Sequence, residues 1–322
     1  MENYLSTNLA ASSLYKEQPT FTDGKACIIE KAKADELFQH ILNSEIQFNY
    51  VQGNCHNRAH VMCLLMASQG IIPAKVWVFA PGRYTMVDTT LISIDDKNNL
   101  APTGKINWGY HVAPVVYVKN DTGIDTLVFD PSLFPDGPVL HQTWLDALRT
   151  EKTIHLFADQ EWYLFNYLSF NTAQTRWDTR NSLSDSLGEM PDTGVTLVPS
   201  VSEVMTADFF RYEEESKDNH WLEKGLAIDE TAFKFYNQEI KPILQTAILP
   251  EENHLLSDYK VLVGDVNNFE TIFRDYCYNN QVSLAFQEKY SDIINKYREV
   301  YNQELSNWKI IIARLLNRTV NC

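Results

Sequence analysis

The segment from Ile46 to Ser68 constrains this chain more than any other. Ile46-Gln47-Phe48-Asn49-Tyr50 alternates like a short strand, and Gly53-Asn54 reads as a tight turn. From there Cys55, Ala59, Met62, Cys63 and Met66 fall on one helical face, with Gly70 as the stop. The spacing therefore predicts strand, turn and helix, with a cysteine where the helix begins. The first N–H groups of a helix have no intrahelical partner. Together with the positive end of the dipole they favour a thiolate, which is the reactive form of cysteine.

Two later segments carry what a cysteine nucleophile needs. Trp108-Gly109-Tyr110-His111 places a histidine at a strand entrance, and Phe129-Asp130-Pro131-Ser132 places a carboxylate at a strand end. An amide carbonyl is a poor electrophile. Cleaving it near neutral pH takes a strong nucleophile, a proton donor for the leaving amine and donors for the oxyanion. Cys55 is the candidate nucleophile, His111 the base and acid, and Asp130 the group that orients the ring. A parity rule follows. If 111–118 and 126–130 pair as a hairpin with a loop of two or four residues, paired numbers have an odd sum. His111 and Asp130 then share a face, whereas a loop of three or five residues separates them.

The remaining pattern divides the chain. Residues 1–24 are polar and read as an arm. Ala26 to Leu42 reads as a helix, Lys75 to Ala80 as a strand, and the roughly twenty polar residues after Pro81-Gly82 as a surface loop holding a short strand near Thr89–Ile94. Tyr110 to Val118 and Thr126 to Asp130 read as strands around Asn120-Asp121-Thr122-Gly123, with Pro114 marking an edge or a bulge. Thr143 to Leu148 reads as a short helix and Trp162 to Phe170 as an aromatic strand. Through Ser200 the chain is rich in Ser, Thr, Asp and Gly, the composition of a linker. Beyond it a stripe runs from Phe286 through Tyr290, Ile293, Tyr297, Tyr301, Trp308 and Ile312 to Leu316 at helical spacing, and its first reading is core packing. The expected organisation is an arm (1–24), an α+β catalytic domain (25–172), a linker (173–200) and an all-helical domain (201–322).

Composition removes several function classes. The 322 residues hold 27 Lys and Arg against 42 Asp and Glu, a net charge of −15, which disfavours nucleic acid and anionic membrane as partners. No stretch approaches the roughly 18 apolar residues of a membrane span. Met1 to Thr7 has neither the basic region nor the apolar core of a secretory signal. The five cysteines are odd in number and lack paired spacing, so a reducing compartment and unpaired Cys27, Cys63, Cys277 and Cys322 are expected. The chain is expected to be cytoplasmic where it is made, with export through a route that needs no cleavable signal left open.

The motifs resemble a known family. Cys55-His56-Asn57-Arg58-Ala59-His60 is similar to the Cys-x-x-Arg-Ala-His nucleophile motif of bacterial protein-glutaminases, which deamidate glutamine side chains in proteins. Trp108-Gly109-Tyr110-His111-Val112-Ala113 is similar to their Trp-Ser-Tyr-His-Val-Ala. Asp130-Pro131-Ser132-Leu133-Phe134, with Gly137-Pro138-Val139 and Trp144, repeats their Asp-Pro-Ser-Leu-Phe…Gly-Pro-Val…Trp. The resemblance covers about residues 45–150. It implies a papain/transglutaminase-like core, a Cys55-His111-Asp130 triad, a thioester intermediate and no cofactor. It also implies a protein substrate presenting an accessible glutamine. Asn54 stands where the family has Gly, and Gly53 where it has Asp. The oxyanion donors are expected to be the Cys55 N–H with Gln52, Asn54 or Trp108. The family's known enzyme is secreted and disulfide-bonded, with a pro-region, whereas this sequence shows neither a signal peptide nor paired cysteines.

Other residues suggest less. His56 and His60 are spaced as on a zinc-binding helix, but Asn57 stands where a metalloprotease needs Glu, and no metal is expected. His60 reads as a hydrogen-bonded core residue, and Arg58 as a surface residue or the partner of a buried carboxylate. Asp95-Asp96-Lys97-Asn98 lacks calcium-loop spacing, and Glu213-Glu214-Glu215 reads as a solvated helix face. Deamidation of protein glutamine is the expected activity. Transglutaminase and cysteine-protease chemistry use the same triad and remain open. So does a non-catalytic role in which the helical half binds a partner protein. That half otherwise reads as a substrate-recruiting or targeting domain, an arrangement suited to a translocated bacterial effector.

Overall fold

A mixed antiparallel sheet organises the protein. The computed structural model describes residues 26–84, 89–98, 104–148, 153–165, 209–244 and 284–317. The expected arm (1–24) and linker (173–200) lie outside the described residues, as do Cys277 and Cys322. In chain order the elements begin with β1 (Ile28–Glu30), α1 (Lys31–Leu42), α2 (Cys55–Ser68), β2 (Ala74–Phe79) and α3 (Pro81–Tyr84). Then follow β3 (Ile92–Asp95), β4 (Lys105–Trp108), β5 (Tyr110–Asn120), β6 (Gly123–Val128) and β7 (Val139–Leu140). The next are α4 (His141–Leu148), β8 (Ile154–Asp159), β9 (Trp162–Phe165), β10 (Phe209–Arg211) and α5 (Tyr212–Glu215). Last come α6 (Trp221–Phe235), a π-helical turn (Tyr236–Ile240), α7 (Lys241–Leu244) and α8 (Leu284–Leu316).

The main sheet runs β7-β6-β5-β2-β8, with β1 added to β5 in parallel. β3 pairs with β4, and β9 with β10, as separate two-stranded sheets. One face of the main sheet is covered by α1 and α2, whose Leu37, Phe38, Ile41, Val61, Met62 and Met66 pack on Val116, Val118 and Leu127. On the other face Trp144, Leu145 and Leu148 of α4, with Ile92 and Ile106 of the β3–β4 ribbon, cover Val76, Val78, Ala113 and Val115.

Several sequence expectations change in the folded chain. The helix over Ala26–Leu42 starts only at Lys31, because Ile28–Glu30 pair with Tyr117–Lys119 of β5; tertiary pairing overrides the helical pattern there. Ile46–Tyr50 forms no strand, yet its alternation is physical: Ile46, Phe48 and Tyr50 are buried, while Asn49 is exposed. Pro114 is neither on an edge strand nor at a bulge. β5 is central, and Pro114 occurs where β6 has already ended, its carbonyl accepting from Phe129 N at 2.9 Å. Its missing N–H therefore disrupts no rung of the β5–β6 ladder.

The back half differs most. The expectation of an all-helical segment fails at Phe209–Arg211, which pair with β9. The stripe on α8 is core, as its spacing implied: Tyr297, Tyr301, Trp308, Ile312 and Leu315 are buried. Leu222, Leu226, Ile228, Tyr301 and Trp308 belong to the same apolar cluster as Phe38, Val61 and Val116. The helices after residue 209 thus share one core with the sheet instead of packing only on themselves. Cysteine pairing also departs from expectation. Cys27 is disulfide-bonded, while Cys55 and Cys63 are free. A count without paired spacing does not detect a single bridge. No helix among the described residues is long and apolar enough to cross a membrane.

Candidate active site

Asn54 takes a left-handed conformation (φ 56°, ψ 24°), and α2 starts at the next residue, Cys55. Asn is among the few side chains that tolerate this region. The thiol is half-buried at the helix start. β5 supplies His111 from its second position, and Asp130 follows the end of β6. The β5–β6 turn pairs Asn120 with Gly123 and Val115 with Val128, the odd-sum register that puts His111 and Asp130 diagonally on one face. The Asp130 carbonyl accepts from Leu133 N at 3.1 Å and Phe134 N at 2.8 Å, so the Asp-Pro-Ser-Leu-Phe segment is a turn that fixes the carboxylate.

His111 and Asp130 are buried, and His111 Nε2 lies 2.8 Å from Asp130 Oδ2. The other ring nitrogen, Nδ1, is buried with no nitrogen or oxygen partner among the described residues. Burial pulls the His111 pKa down. The Asp130 charge and hydrogen bond, with a hydrogen bond and charge from Cys55, outweigh it and raise the pKa to about 9. For Asp130, burial opposes ionisation. The His111 charge and hydrogen bond, the Trp144 indole and Arg58 nevertheless hold its carboxyl below the usual range.

The aromatic surroundings fix the imidazole further. Trp108 lies flat on His111, with 4.5 Å between ring centroids and 8° between planes. Its indole N–H donates to the Gln52 carbonyl at 3.3 Å. Asn54 Nδ2 donates to Asp229 Oδ1 at 2.7 Å. Of the three side chains expected at the oxyanion, Trp108 and Asn54 therefore have their side-chain donors engaged elsewhere. Gln52 is buried with both amide atoms lacking a partner among the described residues.

The rest of the nucleophile motif has structural partners. Arg58 Nη1 donates to Asp229 Oδ2 at 2.7 Å in a buried ion pair, so its partner is a buried carboxylate. His56 Nδ1 is 3.2 Å from the Tyr110 hydroxyl. His60 stacks on Tyr212, and its Nδ1 meets Lys75 Nζ at 2.8 Å. Burial, then the Lys75 and His56 charges, push the His60 pKa down and keep it neutral. Among the described residues no cluster of His, Cys, Asp or Glu is arranged to hold a metal ion.

Sequence reasoning assigned no role of their own to Trp144, Asp229, Gly225 and Lys75. Trp144 appeared only within the resembling motif. Asp229 carries no local signal, being one acid in an otherwise ordinary amphipathic helix.

Comparison with known proteins finds a match for the front of the chain. Residues 30–148 match the family model described as Glutaminase. No curated protein sequence matches the chain. Among solved structures, protein-glutaminase from Chryseobacterium proteolyticum, determined by NMR, is 23% identical over 43% of this chain and 77% of its own, with a TM-score of 0.35. A crystal structure of protein-glutaminase is 22% identical over 52% of this chain and 94% of its own, also at 0.35. A crystal structure of pro-protein-glutaminase is 24% identical over 59% of this chain and 70% of its own, again at 0.35.

Proposed function

We propose that this protein, which carries the glutaminase pattern over residues 30–148, is a cysteine-dependent deamidase of glutamine side chains in proteins. One observation carries the proposal. A buried imidazole is held through Nε2 by Asp130, and the charges and hydrogen bonds of Asp130 and Cys55 outweigh burial and raise its pKa to about 9. Such an imidazole is protonated at neutral pH and stabilises a thiolate beside it. The β-sheet packed on a helix that starts at the nucleophile fits a papain/transglutaminase-like core.

In this reading the Cys55 thiolate attacks the γ-carboxamide carbon of a glutamine. The oxyanion accepts hydrogen bonds from the Cys55 backbone N–H at the helix start and from the Gln52 amide, which has no partner among the described residues. His111 gives its proton to the departing ammonia, leaving a thioester. It then takes a proton from water, which attacks the thioester to give glutamate and return the thiol. Asp130 keeps the ring oriented and stabilises the imidazolium.

The test is incubation of the protein with glutamine-rich polypeptides, with ammonia, cross-links and chain cleavage measured on the same samples. Ammonia and a Gln-to-Glu mass change, absent with Cys55→Ala, are the expected result. Cross-links would make the enzyme a transglutaminase, cleavage would make it a protease, and full activity in Cys55→Ala would overturn the assignment.

A further inference from the structure

We propose that Asp229, on a helix far outside the segment that matches the glutaminase family, is a positioning residue for Cys55. The inference rests on the reading of Cys55 as the nucleophile.

One carboxylate grips the nucleophile motif at two points. Its Oδ1 accepts from Asn54 Nδ2 at 2.7 Å, and its Oδ2 accepts from Arg58 Nη1 at 2.7 Å. Asn54 immediately precedes Cys55, and Arg58 lies one helical turn after it. Asn54 is also the left-handed residue that turns the chain into α2, so its orientation sets the direction of the Cys55 N–H and of the bond to Sγ. The Asn54 side chain is held from the other side as well, its Oδ1 accepting from Asn57 Nδ2 at 3.2 Å. Asn57 Oδ1 in turn accepts from the Tyr163 hydroxyl.

The approach of α6 is built for this contact. A Cβ on Gly225 would fall 1.7 Å from Asn57 Nδ2, so only glycine allows the helix this close. One turn further along α6, Asp229 meets Asn54 and Arg58. Asp229 is 1% exposed, and its charge is balanced where it stands by Arg58. Helix packing alone needs an apolar face. The same helix also brings a glycine and a carboxylate to the residues flanking Cys55, and those are directional contacts. The back half thereby completes the turn from which the thiol is presented.

The experiment uses the full chain and two variants. Asn54→Gly keeps the left-handed turn permissible and leaves the Arg58–Asp229 pair in place, removing the tether to Asp229 together with the Asn57–Asn54 hydrogen bond. Asp229→Asn removes the charge from both grips. Circular dichroism establishes the folded state. The rate of Cys55 alkylation by iodoacetamide, followed by peptide mapping across pH, reads the thiol directly, and ammonia release gives kcat and KM. Folded Asn54→Gly should alkylate Cys55 about tenfold more slowly and lose about tenfold in kcat at unchanged KM, the scale expected of a small misplacement. Asp229→Asn should lose at least as much. A folded Asn54→Gly with the wild-type alkylation rate, pH profile and kcat overturns the proposal, and it decides alone if Asp229→Asn does not fold. If the wild type releases no ammonia but both variants still slow Cys55 alkylation, the deamidase reading fails and the positioning role stands.

Discussion

The Trp144 indole N–H donates to Asp130 Oδ2 at 2.9 Å, the same oxygen that His111 Nε2 meets at 2.8 Å. One carboxylate oxygen thus joins the short helix α4 to the imidazole. Trp144→Phe keeps most of the buried ring while removing this donor. A hydrogen bond to a charged acceptor contributes roughly 2 kcal/mol, and roughly 1.4 kcal/mol of transition-state stabilisation is tenfold in rate. Trp144→Phe should therefore lower kcat about tenfold in a protein that still folds, measured by ammonia release alongside thermal melting.

The pH limits of activity follow from the same pair. Asp130 is the leading reason that His111 stays raised to about 9 against burial, which alone would lower it. Activity that needs the imidazolium should persist through neutral pH and fall as pH rises through about 9. In stability terms, the raised histidine contributes fully below its ordinary value and loses that contribution as pH climbs through about 9. In Asp130→Asn the high-pH limb should move down by more than one pH unit, and kcat should fall by about 10³ or more. A variant whose pH–rate profile keeps its high-pH limb near 9 would show that some other group holds the proton.

What was legible in the sequence follows a physical line. Cys55, His111 and Asp130 stand out as candidates because each lies at the junction of a periodic pattern and a turn, and strand parity relates the last two. Local periodicity also revealed α8. It missed β8, whose residues Ile154–Asp159 become a strand through pairing with β2, and it misread Ile28–Glu30, which the pairing with β5 extends. The contacts of Asn54 and Trp108 were not readable for a related reason. Both carry donors suited to an oxyanion, but Asp229 and the Gln52 carbonyl take those donors, and neither contact is local in sequence. The Cys27 disulfide escaped for want of paired spacing.

Close approach of α6 to α2 predicts the effect of one added methyl. Gly225→Ala gains up to about 1 kcal/mol of helix propensity. It also drives Cβ into Asn57, which cannot yield without weakening its bonds to Asn54 and Tyr163. Overpacking costs about 1–3 kcal/mol, and the weakened hydrogen bonds add about 1 kcal/mol each, so the unfavourable terms exceed the gain. Gly225→Ala should melt several degrees below the wild type. Equal or higher melting would mean that α6 can shift outward freely.

Lys75 gives a prediction about stability that is independent of catalysis. Its side chain is buried, with Nζ 2.8 Å from His60 Nδ1 and donating to the Trp162 carbonyl at 2.7 Å. Burial, only partly offset by the Cys63 and Glu161 charges, lowers its pKa from 10.5 to about 8. Between those two values the unfolded chain holds a proton that the folded chain has released. The contribution of this lysine to stability therefore rises with pH across that window. Other groups titrate there too, His111 with the opposite sign, so the difference between two proteins isolates the lysine. Lys75→Met removes the titration and fills similar volume. The melting temperature of the wild type minus that of Lys75→Met should increase steadily from about pH 8 to about pH 10.5 and change little below it. A flat difference across that range would show that Lys75 keeps its proton in the folded protein, held by His60 and the Trp162 carbonyl more strongly than burial opposes it.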